Sequence, residues 1–163
     1  MMQENERKLG IEWHNGFLFS VFAMLVITMI RFGREQGLFC TLLFFASLIA
    51  HEAGHMLLAK VSRTRVKAMG FCKWGVYLRR EKSSLFSTEI AIAAAGPAVN
   101  LLIAYFLHDF SGSGPLAWLA QMNVVLFIIN MAPFGGSDGK RILTTWRELR
   151  SARLIPVGAS EAR

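Results

Sequence analysis

At 163 residues the chain has room for one domain. It is 53% hydrophobic and 18% charged with a mean hydropathy of +0.40, whereas soluble domains are about a quarter charged. A net charge of +7 would suit a nucleic-acid binder, but the basic residues lie between and after apolar runs, as in membrane-protein loops, so nucleic acid is excluded as a partner.

The first apolar stretch, Gly16 to Ile30, extends back to Trp13 at an interface and predicts a membrane span over about 13–31. Arg7 and Lys8 ahead of it resemble the start of a signal peptide. The following Arg31-Phe32-Gly33-Arg34 lacks a small-residue cleavage pattern, so the span is expected to stay uncleaved. The second stretch, Leu38 to Ala59, is interrupted only by His51, Glu52 and His55 and predicts a span over about 38–60. Ile90 to Leu107 and Leu116 to Phe134 carry no formal charge and predict spans over about 88–108 and 115–134. Each run is close to the roughly 20 residues that cross the hydrocarbon. Core helices of a soluble protein would show one polar face; these runs are apolar on all faces. The predicted fold class is therefore an all-α polytopic membrane protein of four transmembrane helices.

The loops set the orientation. With four crossings, 16 of the 18 Lys and Arg residues fall in the two tails and the loop 61–87 with its flanking Lys60, and only Arg31 and Arg34 fall on the other side. The positive-inside rule then places both termini in the cytoplasm. Within that basic loop, Val66 to Phe71 and Val76 to Leu78 are rich in β-formers and read as a short β-hairpin at the membrane, or else as an irregular loop. The tail 139–163 reads as a brief amphipathic helix after Trp146 followed by disorder. Cys40 and Cys72 form no CxxC pair and read as two unpaired thiols.

The chemistry concentrates in the second span, at His51-Glu52-Ala53-Gly54-His55. Histidines at i and i+4 share one helix face, so both imidazoles can reach one zinc, and the Glu between them can take a proton from water. Three ionisable groups at membrane depth would oppose insertion unless they serve a function. Catalytic zinc takes three protein ligands. Asp138 lies at the same membrane face as the histidines, yet by itself it reads as an interfacial residue capping the next helix. Asn100 and Asn130 are amides inside spans; each either brackets a neighbouring helix or meets a substrate. Gly96-Pro97 beside Asn100 invites close packing or a kink.

Three elements together resemble the site-2 protease family of intramembrane zinc metalloproteases. They are HEAGH in an apolar helix, the Gly96-Pro97-x-x-Asn100 motif, and Asn130-x-x-Pro133-x-x-x-x-Asp138-Gly139, followed by Arg141-Ile142-Leu143. The motifs span residues 51 to 143 in the family's order. The resemblance implies that His51, His55 and Asp138 bind one Zn2+ per chain and that Glu52 is the catalytic base. It implies a three-helix catalytic core in the second to fourth spans, with Asn100 and Asn130 near the substrate. It also implies a small, minimal-core member without a PDZ or CBS domain, lying in the cell membrane of a prokaryote. Its expected partners are a membrane-embedded protein substrate, the lipid bilayer and a regulatory partner protein, and the hairpin is expected to pair with an unfolded substrate. The competing reading is a zinc-binding membrane protein, carrier or sensor, without proteolysis; a structural subunit with vestigial motifs is a third.

Overall fold

The computed structural model describes residues 10–72, 75–110 and 114–154, the side chains of residues 110, 153 and 154 excepted. The basic Arg7, Lys8, Lys73 and Arg163, the tip of the loop between the third and fourth apolar runs, and the tail after residue 154 lie outside the described residues.

A short strand β1 (Gly10–Trp13) leads into helix α1 (Gly16–Phe32) and the long helix α2 (Arg34–Val61). Strands β2 (Val66–Cys72) and β3 (Gly75–Arg80) follow. Helix α3 (Phe86–Leu107), a single 3-10 turn (His108–Phe110), α4 (Pro115–Met131) and α5 (Asp138–Leu154) complete the elements of the described residues. The helices α2 and α3 are long and apolar enough to cross a membrane, while α1 and α4 are apolar and have 17 residues each. Seventeen residues rise about 25 Å, close to the thickness of the hydrocarbon layer.

The distribution of polarity is the reverse of a water-soluble bundle. Leu18, Phe19, Phe22 and Ile30 of α1, Leu42 and Leu57 of α2, Tyr105 and Phe106 of α3 and Ile128 of α4 point outward. Thr28, Thr41, Ser47, His51, His55, Asn100 and Asn123 are buried. Apolar side chains directed outward over four helices form a surface suited to lipid rather than water. The buried polar groups satisfy one another, as they must where no water reaches.

Close backbone approach holds the helices together. A Cβ on Gly37 would lie 2.6 Å from Met29 Cα, so α1 and α2 pack without an intervening side chain. Beside this contact Thr28 and Thr41 share a hydroxyl hydrogen bond of 2.7 Å. A Cβ on Gly54 would lie 2.9 Å from the Ala95 carbonyl oxygen, which brings α2 equally close to α3. Small residues at such crossings are the usual device for packing helices in lipid.

The expected hairpin is present as β2 and β3, paired antiparallel with Met69 opposite Leu78 and Phe71 opposite Val76. A third strand, β1, lies parallel to β2, with Trp13 opposite Phe71. Trp13 is therefore not an extension of the first span. Its ring stacks on Phe71 with centroids 4.4 Å apart. Isolated from β2, a four-residue strand carries no detectable pattern, which is why the sequence did not reveal it.

One ion pair fixes this sheet over the helices. Arg80, the last residue of β3, donates from Nη1 and Nη2 to the Glu89 carboxylate in the first turn of α3, at 2.7 and 2.9 Å. The Ser83 backbone N–H also donates to Glu89. Both side chains are almost fully buried. Replacing Arg80 by Met leaves Glu89 buried without a counter-charge. This substitution is expected to destabilise the fold by about 3–5 kcal/mol, read as a lowered thermal midpoint in detergent. An unchanged midpoint would show that the pair does not hold the sheet.

Candidate metal centre

His51 and His55 lie one turn apart on α2 and both side chains face α3 and the start of α5. Their Nε2 atoms are 3.1 Å apart. Asp138 Oδ2 lies 3.2 Å from each of them. All three residues are buried.

The second ring nitrogen of each histidine is already engaged. His51 Nδ1 meets Asn100 Oδ1, and His55 Nδ1 meets the Ile92 carbonyl oxygen at 2.6 Å. Both partners are acceptors, so each Nδ1 carries the hydrogen and each neutral imidazole is left with a lone pair on Nε2. Two lone pairs and a carboxylate oxygen thus converge on one point. That arrangement is repulsive unless a proton or a metal cation lies between them, and it is one that can hold a metal ion. Ligands held tetrahedrally at about 2.0–2.1 Å from zinc are about 3.3–3.4 Å apart. The three observed separations, 3.1, 3.2 and 3.2 Å, are slightly tighter than that triangle, and the histidine partners supply the outer hydrogen bonds typical of zinc sites.

Gly96 makes room for the triangle. A Cβ there would lie 2.6 Å from His51 Nε2 and closer still to His55 Nε2. Pro97, next to it, lacks the N–H that would bond the Ala93 carbonyl, one residue from Ile92. The Gly-Pro pair thus sets where α3 can lie against the imidazoles.

Asp138 does not cap the next helix, as it reads by itself in the sequence; it is the first residue of α5. The α4 helix ends at Met131, and Pro133 and the left-handed Gly135 (φ 54) carry the chain through a turn. Ser137 then caps α5: its Oγ accepts from the Lys140 N–H at 3.2 Å, and its backbone carbonyl accepts from the Arg141 N–H. Gly139 packs directly on the Met131 carbonyl. The cap and this contact hold the first turn of α5 against α4, with the Asp138 carboxylate turned toward α2.

Glu52 lines a cavity of about 620 Å³ together with His51, His55 and Asp138. Its carboxylate takes no hydrogen bond or ion pair from the described residues. Tyr77 and Leu78 of β3, Phe134 of the turn, and Arg141 of α5 complete the walls. The outer edge of β3 pairs with no strand among the described residues. Cys72 also borders the cavity and Cys40 is buried, both with free thiols.

The two asparagines separate. Asn130 lies on the cavity wall, with its Nδ2 donating to Leu126 O at 3.0 Å. Asn100 is fully buried behind His51. Asn123 and Ser47, which continue the polar contacts behind Asn100, were not singled out from sequence. The available signal was an amide within the apolar run of α4, which also carries Gln121 and Asn130.

No family model matches the chain. A Synechocystis sp. protein provisionally named a zinc metalloprotease is 33% identical over 116 residues, covering 66% of this chain and 31% of the relative. A Methanocaldococcus jannaschii protein named a zinc metalloprotease is 25% identical over 146 residues, covering 83% of this chain and 42% of the relative. The chain therefore spans well under half the length of these curated relatives. Among solved structures, the site-2 protease from Methanocaldococcus jannaschii superposes with a TM-score of 0.68 at 26% identity, covering 88% of this chain and 68% of that one.

Proposed function

We propose, from the likeness to two zinc-metalloprotease relatives and to the site-2 protease of Methanocaldococcus jannaschii, that the chain is a member of the site-2 protease family and hydrolyses peptide bonds within or next to the membrane-spanning segments of other proteins. The observation that carries this reading is the converging triangle of His51 Nε2, His55 Nε2 and Asp138 Oδ2 beside an unengaged Glu52 on an open cavity. A pure metal carrier or sensor has no use for a base in that position.

His51, His55 and Asp138 would hold the zinc, one per chain. When bound, it supplies Lewis acidity toward water and the scissile carbonyl. Glu52 takes the proton of the attacking water and delivers it to the leaving amine. Asn130, on the cavity wall, is placed to meet the substrate backbone. Asn100 acts from behind His51 by orienting the ring. The free edge of β3 borders the same cavity through Val76, Tyr77 and Leu78 and can take an extended segment as an added strand. An extended substrate is required because a helical peptide bond is shielded by its own backbone. Water reaches the site through an adjoining polar cavity of about 340 Å³, which shares Arg80, Ser137 and Arg141 with the first.

The test is cleavage of a membrane-anchored reporter in proteoliposomes. Removing the metal with a chelator is expected to abolish cleavage and one equivalent of zinc to restore it. Cleavage at full rate by metal-free protein would sink the reading.

The proposed topology has α1 to α4 crossing the bilayer, with the sheet, α5 and both chain ends on the cytoplasmic side. Cys72 is partly exposed on that side and Cys40 is fully buried. A membrane-impermeant maleimide should therefore label Cys72 in inside-out vesicles and spare it in right-side-out ones. Cys40 should be spared in both. Labelling of Cys72 from the outside would reverse the orientation.

A further inference from the structure

We infer that Asn123 sets the tautomer of His51 through Asn100, which makes it a positioning residue for the metal centre. The inference rests on the reading of His51 as a zinc ligand.

The argument begins at a backbone carbonyl. Asn123 Nδ2 donates to Leu119 O at 2.9 Å and to Ser47 Oγ at 3.1 Å. A carbonyl oxygen can only accept, so Leu119 decides which end of the Asn123 amide faces its own helix. The two amide hydrogens have two partners, and Oδ1 is left facing α3. There it accepts from Asn100 Nδ2 at 2.9 Å. With its nitrogen turned toward α4, Asn100 must present Oδ1 to His51, and Oδ1 is the atom found against Nδ1. An acceptor at that place requires the hydrogen on Nδ1, which leaves Nε2 with its lone pair directed at Asp138 Oδ2 and His55 Nε2. Turning either amide over would set donor against donor or acceptor against acceptor.

The two histidines differ in how they obtain an acceptor. His55 has one from the main chain, the Ile92 carbonyl. A main-chain carbonyl cannot turn over. His51 has only a side-chain amide, which can. Asn123 supplies the missing directionality, carrying it from Leu119 on α4 across α3 to α2. Both amides are fully buried. Burying an amide in an apolar bundle is costly unless its groups are paired, and here the pairing also determines the orientation.

Asn123→Leu keeps the branching of the side chain and removes the acceptor facing Asn100. The Asn100 amide is then free to turn over and present its NH2 to His51, which moves the imidazole hydrogen to Nε2, where the metal must bind. The experiment is zinc competition against a chromophoric chelator on the detergent-solubilised full chain. Asn123→Leu is expected to weaken zinc about tenfold, within the range for changes outside the ligand sphere. In an Asn100→Leu background it is expected to add nothing, because Asn123 acts only through Asn100. Asn123→Asp with its carboxyl protonated can donate to Leu119 O and still offer an oxygen to Asn100, and should recover most of the affinity. Wild-type affinity in Asn123→Leu, or a loss that adds fully to that of Asn100→Leu, overturns the inference.

A measurement with Asn123 intact covers the case in which Asn123→Leu does not fold. At pH 9, in metal-free protein carrying His55→Ala and Asp138→Ala and 15N-labelled histidine, where neither of those acceptors faces Nε2, His51 should carry its hydrogen on Nδ1, whereas the exposed His14 follows the solution preference for Nε2. A hydrogen on Nε2 of His51 overturns the inference. Wild-type protein that binds no zinc at all would overturn the metal site itself, a separate outcome.

Discussion

Glu52→Gln is expected to bind one zinc per chain and to cleave the reporter about a thousandfold more slowly than wild type, or slower still. The substitution is isosteric and exchanges a carboxylate for an amide that cannot accept a proton. General-base catalysis is worth about 10²–10⁴ in rate. Zinc should be retained because the carboxylate lines the cavity and is not one of the three converging atoms. The pairing of these readouts carries the test. Loss of zinc along with activity would make Glu52 a ligand or a structural residue. Full activity would remove it from the chemistry.

Gly96→Ala is expected to lower zinc affinity about a hundredfold, at the upper end for changes around metal ligands, and to lower cleavage with it. The added methyl would overlap the two Nε2 atoms that face the metal position. Either α3 retreats from α2 or the imidazoles rotate away, and both open the triangle. Overpacking of this kind costs about 1–3 kcal/mol in an apolar core. Here the atoms that must move are the ligand atoms themselves. Unchanged zinc binding in a folded Gly96→Ala protein would mean that the close approach of α3 is not required for the site.

Much of the local structure was legible. The apolar runs predicted α1 to α4 to within a few residues, because helix formation in such runs depends on the run itself. The β-formers around Val66 and Val76 predicted the hairpin for the same reason. Three features were not legible. The strand β1 exists only by pairing with β2, and its Trp13 looked like an interfacial anchor of the first span. The position of Asp138 at the head of α5 depends on Ser137 capping and on Gly139 packing against Met131, and neither contact has a periodic signature. Asn123 was passed over because an amide in an apolar run, which here also holds Gln121 and Asn130, looks the same whether it braces a helix or directs a ligand.

What the sequence by itself determined is whatever lies within one or two helical turns. His51 and His55 share a face, and Glu52 lies between them, because α-helical spacing leaves no alternative. Only the tertiary structure decided that a carboxylate from α5 meets that face, that Gly96 leaves it room, and that Asn100 and Asn123 orient one of its rings. These outcomes depend on how closely three helices approach, and that distance is set by contacts such as Gly54 on Ala95 and Gly37 on Met29. The pattern of a single helix carries no information about it.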